Sequence, residues 1–114
     1  MGSYTAKQGD IIWLDFGPLS DHEQKGRCPA VVVSNTVANS LLDTRAIVCP
    51  ISNSNRNIPV QPALDNRTKT QGVVVCDQVR TVDLLARNAV YIEVIPRDLL
   101  LEIIDIVYGF IEIF

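Results

Sequence analysis

The chain has 114 residues, 47% of them hydrophobic, and a formal net charge of −3. That length supports one modest core and a single domain, 1–114, and that hydrophobicity excludes a disordered chain. No run of about 18 uncharged apolar residues occurs, so no membrane-spanning helix is expected.

The N-terminal MGSYTAKQGD lacks the apolar segment of a secretion signal. Cys28, Cys49 and Cys76 stand far apart, with no CxxC and no His pair. That spacing suits neither a zinc site nor a disulfide framework, and reduced thiols in a cytoplasm fit it best. The negative charge argues against nonspecific nucleic-acid binding, but it is uneven. Residues 91–114 set Arg97 against five acids, whereas residues 20–90 hold eight Lys/Arg against six acids. The middle of the chain can therefore host an anionic ligand.

In chain order, Gly9 opens DIIWLDF, whose alternation and β-rich composition predict a strand over about Asp10–Phe16. Gly17-Pro18 ends it. The polar loop Leu19–Arg27 holds the only histidine, His22, among Glu23, Gln24, Lys25 and Arg27. So varied a set of acid, base and phosphate-binding groups before a rigid strand suggests a site, though a solvated hairpin loop has the same composition. Pro29 then fixes the start of a buried strand, Pro29–Ser34. Thr36–Leu42 is expected to form one helical turn, and Arg45–Ile51 a third strand that runs into a polar cluster, 52–57.

Pro59–Leu64 reads as a short edge strand, since its two prolines exclude a central one. Asp65–Gln71 is a charged loop. Gly72–Cys76 reads as a buried strand continuing through DQVRTVD with period-two alternation, and Val90–Val94 as the last strand. Pro96 suits the start of a helix, with Asp98 favouring the N-terminal dipole. Polar or small residues at 98, 102, 105, 109 and 112 form one stripe, and nearly everything else to Phe114 is apolar. A surface helix needs only one apolar face. The excess predicts packing on the domain and on a second subunit, so a homodimer is expected.

Four blocks taken together resemble the MazF/PemK family of bacterial toxin ribonucleases: GDIIWLDFGP (Gly9–Pro18), HEQKG followed by PAVVVSN (His22–Asn35), CPIS (Cys49–Ser52) and GVVVCDQVRTVD (Gly72–Asp83). The resemblance covers nearly the whole chain. It implies an SH3-like β-barrel of the CcdB/MazF/PemK type with a C-terminal helix, a homodimer, and cofactor-free, metal-independent cleavage of single-stranded RNA. It also implies a cognate antitoxin whose tail covers the RNA groove.

The same resemblance assigns residues. The family sets an arginine directly before the proline of the second strand; here that position is Cys28, with Arg27 one step earlier. Ser52 matches the family's catalytic threonine, Asp77 and Gln78 its aspartate–glutamine pair, and Arg80 its downstream basic residue. His22 matches a histidine used by some members. Val75 stands where some members carry a second arginine. Two other readings share the fold: a catalytically silent binding protein and a gyrase-inhibiting toxin.

Metal-free RNA cleavage needs a base for the 2′-OH proton, an acid for the leaving 5′ oxygen and a cation for the phosphorane. Asp77 is the candidate base, against the plainer role of a carboxylate at a turn. His22 is the candidate acid or base, and Ser52 a hydrogen-bond donor to a phosphate oxygen. Arg27 is the candidate clamp, although strand alternation would turn it to the face opposite Cys28. Gln24, Lys25, Asn53, Arg56, Gln78 and Arg80 are candidate RNA contacts, with Arg67 and Lys69 along the groove. Trp13 is expected in the core.

Overall fold

The computed structural model describes residues 4–17, 26–54 and 58–113. Its elements are β1 (Asp10–Asp15), β2 (Arg27–Val32), α1 (Thr36–Leu41), β3 (Arg45–Ser52), β4 (Val73–Val74), β5 (Arg80–Asp83), β6 (Val90–Val94) and α2 (Arg97–Ile111). All strand pairs are antiparallel, in the order β4-β3-β2-β1-β6, with β5 pairing β3 beside β4. This is the expected SH3-like barrel architecture with a C-terminal helix.

Period-two alternation sends each strand's side chains to two faces, and both are buried. Ile12, Leu14 and Phe16 meet Ala30, Val32, Ala46, Val48, Val82 and Leu84 on the inner face. Ile11, Val31, Cys49 and Ile51 meet Leu99, Leu100 and Ile103 of α2 on the outer face. Two apolar faces explain why PAVVV and AIV read as solid apolar runs rather than alternating ones.

The helix begins at Arg97, with Pro96 as its cap rather than its first residue. Leu101, Tyr108, Phe110 and Ile111 are exposed on it. The body therefore leaves much of the apolar surface of α2 uncovered, which is the excess noted in the sequence.

Three further differences from expectation have a physical cause. First, β2 begins at Arg27, not Pro29, because the β1 pairing extends to Asp15↔Arg27. Pro29 is tolerated there because the β3 pairing starts only at Ala30↔Pro50, so its missing N–H costs no ladder bond on that side. Second, Pro59–Leu64 makes only an isolated bridge, Ala63↔Val73. Pro59 and Pro62 each lack the donor that a longer ladder needs.

Third, the stretch 72–83 is not one strand. From Val74↔Ile51 to Arg80↔Val48 the chain advances six residues while its partner advances three. The surplus is taken up by a 3-10 turn at Cys76–Gln78, closed by Gln78 and Val79 N–H groups donating to the Val75 and Cys76 carbonyls. Alternation across DQVRTVD could not reveal this, since both flanking pieces do alternate.

Candidate active site

The site is built where β1, β2 and β3 end together. Phe16 N–H donates to the Gly26 carbonyl at 2.7 Å, and Gly26 N–H to that of Gly17 at 3.2 Å. Both glycines hold positive φ, +71° and +81°, which lets the loop leave and re-enter the sheet at one point. Of the loop's candidates, His22, Gln24 and Lys25 lie outside the described residues, as does Arg56 in the polar cluster.

Arg27 and Cys28 point to opposite faces. The Arg27 guanidinium pairs with the Asp15 carboxylate at 2.7 Å and donates to the Asn88 carbonyl at 3.0 Å. Asp15 also accepts from the Asn88 amide at 2.7 Å. The Asn88 amide and then the Arg27 guanidinium hold the Asp15 carboxyl below the usual range. Cys28 is half-buried, opposite Leu14 in the β1 register, and packs on the inner cluster.

Ser52 ends β3 on the same inner face. Its hydroxyl accepts from Ser54 N–H at 3.1 Å. Carrying the Ala30↔Pro50 register two residues further sets Cys28 opposite Ser52. Arg80 joins this face from β5, its guanidinium 5.5 Å from the centre of the Phe16 ring, a cation–π distance. Thus the positions matching the family's arginine, threonine and downstream basic residue share one sheet face.

Asp77 is exposed on the 3-10 turn beyond β4, and Gln78 is half-buried beside it. The Gln61 amide donates to the Asp77 carboxylate at 3.0 Å. Gln61 was invisible to motif reading: it sits in an irregular, proline-flanked segment without periodicity. Gly72 carried a usable signal, a glycine at a strand start. Its φ is +126°, and its Cα faces the Ser52 carbonyl.

A cavity of about 430 Å³ is walled by Trp13, Arg27, Cys28, Ile51, Lys69 and Ile92, with Asn53 and Gln71 also lining it, so it reaches Cys28 and the residue after Ser52 but not Asp77 or Arg80. Trp13 is 41% exposed, which corrects its expected place in the core. It lies on the outer face with Ile11, but α2 covers Ile11 and stops short of Trp13. The far wall is fastened from below: Glu93 accepts the N–H groups of Lys69 and Thr70 at 3.0 and 2.8 Å and the Thr70 hydroxyl at 2.7 Å. Burial would raise the Glu93 carboxyl, but these donors outweigh it and hold it low.

Arg67 does not line this cavity. It bridges Asp65 and Asp98, each at 2.8 Å, tying the loop to the start of α2. A larger cavity, about 790 Å³, lies among Tyr4, Asn39, Arg45, Leu85 and Val90 and, among the described residues, contains none of the candidate site residues. Arg45 and Ser52 stand at opposite ends of β3, so the smaller cavity is the one at the Ser52 end of the sheet.

Residues 7–108 match the family described as PemK-like, MazF-like toxin of type II toxin–antitoxin systems. The chain is 34% identical over 87 residues to the endoribonuclease toxin MazF of Escherichia coli K12, covering 75% of this chain and 76% of that one. The crystal structure of MazF from Deinococcus radiodurans superposes with a TM-score of 0.87 at 30% identity, covering 95% and 97% of the two chains. A MazE–MazF complex from the same organism gives 0.82, also at 30% identity, covering 95% and 96%. The chain belongs to the PemK-like, MazF-like toxin family.

Proposed function

We propose that this chain is the toxin of a toxin–antitoxin pair, an endoribonuclease that cuts single-stranded RNA by internal attack of a 2′-OH, without a metal ion, in the cytoplasm. The observation that carries the reading is the grouping of Cys28, Ser52 and Arg80 on one sheet face next to the Asp77 turn. Its relatives are named endoribonuclease toxins, which supports the same activity here.

In this reading Asp77 takes the 2′-OH proton. Gln61 holds its carboxylate from one side and leaves the other oxygen for substrate. Ser52 and Arg80 hold phosphate oxygens, and His22 protonates the leaving 5′ oxygen. The products are a 2′,3′-cyclic phosphate and a 5′-OH end. Gln78, Asn53, Gln24, Lys25 and Arg56 contact the strand, while Trp13 offers a stacking surface of the kind single-stranded RNA uses.

Cys28 is the weak point. A thiol is one weak donor without a fixed charge, so it does not replace a guanidinium gripping two phosphate oxygens. Losing such a group costs about 2.7–4 kcal/mol of transition-state stabilisation, roughly 10²–10³ in rate. Arg27 does not substitute for it. Arg27 reaches the cavity wall, but it stands on the strand face opposite Cys28, Ser52 and Arg80, held there by Asp15 and the Asn88 carbonyl. The protein is therefore a slow nuclease that still folds and binds partners.

Two partners complete the reading. One is a second copy, packed on the exposed apolar surface of α2. The other is an antitoxin, as in the MazE–MazF complexes this chain superposes on, whose tail lies across the cavity beside Trp13 and Lys69. Incubating the purified protein with single-stranded RNA in EDTA and mapping product ends tests the activity directly. Cyclic-phosphate ends support it, and intact RNA at high enzyme concentration refutes it.

A further inference from the structure

The three cysteines stand far apart in sequence, but the fold brings two of them together behind the Asp77 turn. Cys49 lies in the middle of β3 and Cys76 directly precedes Asp77; both are fully buried. The β3–β4 register is Ile51↔Val74 and Ser52↔Val73. Val75 N–H donates to the Pro50 carbonyl at 2.8 Å, which marks Pro50 and Val75 as a hydrogen-bonded pair. Carrying this register one residue further, to the first residue of the 3-10 turn that packs on β3, sets Cys76 opposite Cys49 at a non-hydrogen-bonded position. In such pairs the Cα atoms approach to about 4.5 Å, inside the range of about 4.4–6.8 Å that a disulfide spans.

The side chains agree with the register. The Cys76 thiol interacts with that of Cys49, and this contact, together with burial and the nearby Asp77 charge, pushes the Cys49 thiol far above its ordinary range. The pair is thus reduced and inert while the sheet stays closed. β4 is only two residues long, and short ladders open locally at low cost.

We propose that Cys49 and Cys76 form a thiol–disulfide site, closed by peroxide, that staples the Asp77–Gln78 turn to β3. In the first step one thiol loses its proton, the thiolate attacks peroxide, the O–O bond breaks, and a sulfenic acid and hydroxide result, the hydroxide taking up that proton to become water. In the second step the other thiol attacks that sulfur, an S–S bond forms, the S–O bond breaks, and the hydroxyl leaves as water with the second thiol's proton. The two sulfurs lose two electrons in all, and one peroxide is reduced to two waters. The half-exposed Cys28 takes no part, because it sits on the inner face with Leu14 whereas Cys49 belongs to the outer cluster with Ile11 and Val31. Since opening limits the reaction, it runs over minutes to hours.

The test treats the folded full-length protein with hydrogen peroxide, alkylates remaining thiols under denaturing conditions, and maps peptides without reduction. The expected map shows a Cys49–Cys76 linked peptide within one chain, Cys28 outside any disulfide, and reversal by dithiothreitol. Closing a loop of this length should raise Tm by on the order of 10 °C. The same linked peptide should form in Cys28→Ser. Alkylation of both Cys49 and Cys76 after treatment, their conversion to sulfinic acids, or a disulfide that includes Cys28 would overturn the proposal.

Discussion

Gly72 and Ser52 lie in backbone contact: a Cβ added at Gly72 would stand 2.3 Å from the Ser52 carbonyl oxygen. With φ at +126°, Gly72 occupies a conformation that side chains rarely adopt. The close approach fixes the end of β3 against the start of β4, and so fixes where the Ser52 hydroxyl stands. Gly72→Ala should destabilise the fold by about 1–3 kcal/mol from crowding alone, with a further loss from backbone strain. It should lower RNA cleavage by more than its unfolded fraction explains. A urea melt and a cleavage assay on the same sample check this; an unchanged midpoint would show that the backbone yields easily there.

Asp77 is assigned the proton transfer, with Gln61 positioning it. Asp77→Asn keeps the shape, and the Gln61 contact, while removing the base, so cleavage should fall by a factor on the order of 10²–10⁴. Gln61→Ala should produce a smaller loss, since it frees the carboxylate without deleting it. Single-turnover cleavage of a short RNA measures both. Parent-rate cleavage by Asp77→Asn would remove Asp77 from the mechanism.

Acid should loosen the cavity wall. Glu93 is held low by the N–H groups of Lys69 and Thr70 and the Thr70 hydroxyl, and Asp15 by Asn88 and Arg27. A carboxylate whose folded pKa lies below its unfolded value contributes stability that is present above the unfolded pKa and lost as pH falls through the folded one. With unfolded values near 4, stability should decline as pH drops from about 5 toward 3. Glu93→Gln should flatten that decline, read as urea midpoint against pH. An identical slope in the variant would mean that the wall does not depend on Glu93 ionisation.

The α2 surface should hold a second copy. Tyr108, Phe110 and Ile111 are 61%, 47% and 73% exposed, more apolar area than a monomer of this size usually leaves to water. A dimer burying on the order of 1,600 Å² is expected, and Ile111→Asp should shift it to monomer. Sedimentation at micromolar concentration decides: monomer for the parent chain would refute the dimer.

The fold was largely legible because its signals are local. Alternation in DIIWLDF, the proline before AVVV and the apolar run of RAIVCPI each mark a strand without knowledge of the others. What escaped was set by long-range pairing. Whether α2 would cover Trp13 or only Ile11 depends on where a helix some ninety residues away ends. The Cys76–Gln78 turn follows from a register mismatch on β3, and Arg67 found Asp98 across thirty-one residues. Among site residues, Cys28 and Arg27 could be placed on opposite faces from alternation alone, because strand periodicity fixes faces even when it does not fix partners. Gln61 could not be found at all, since nothing in QPALDN distinguishes an amide that reaches Asp77 from one in water.

In the proposed mechanism Cys28 occupies the phosphate-clamp position and Arg27, on the other strand face, does not replace it. The direct measurement is the cleavage rate of single-stranded RNA by the parent chain, Cys28→Arg and Arg27→Ala, at matched concentration in EDTA. Slow cleavage by the parent, a gain on the order of 10²–10³ in Cys28→Arg, and little change in Arg27→Ala are expected. No gain in Cys28→Arg together with abolished cleavage in Arg27→Ala would contradict that mechanism, and would make Arg27 the clamp.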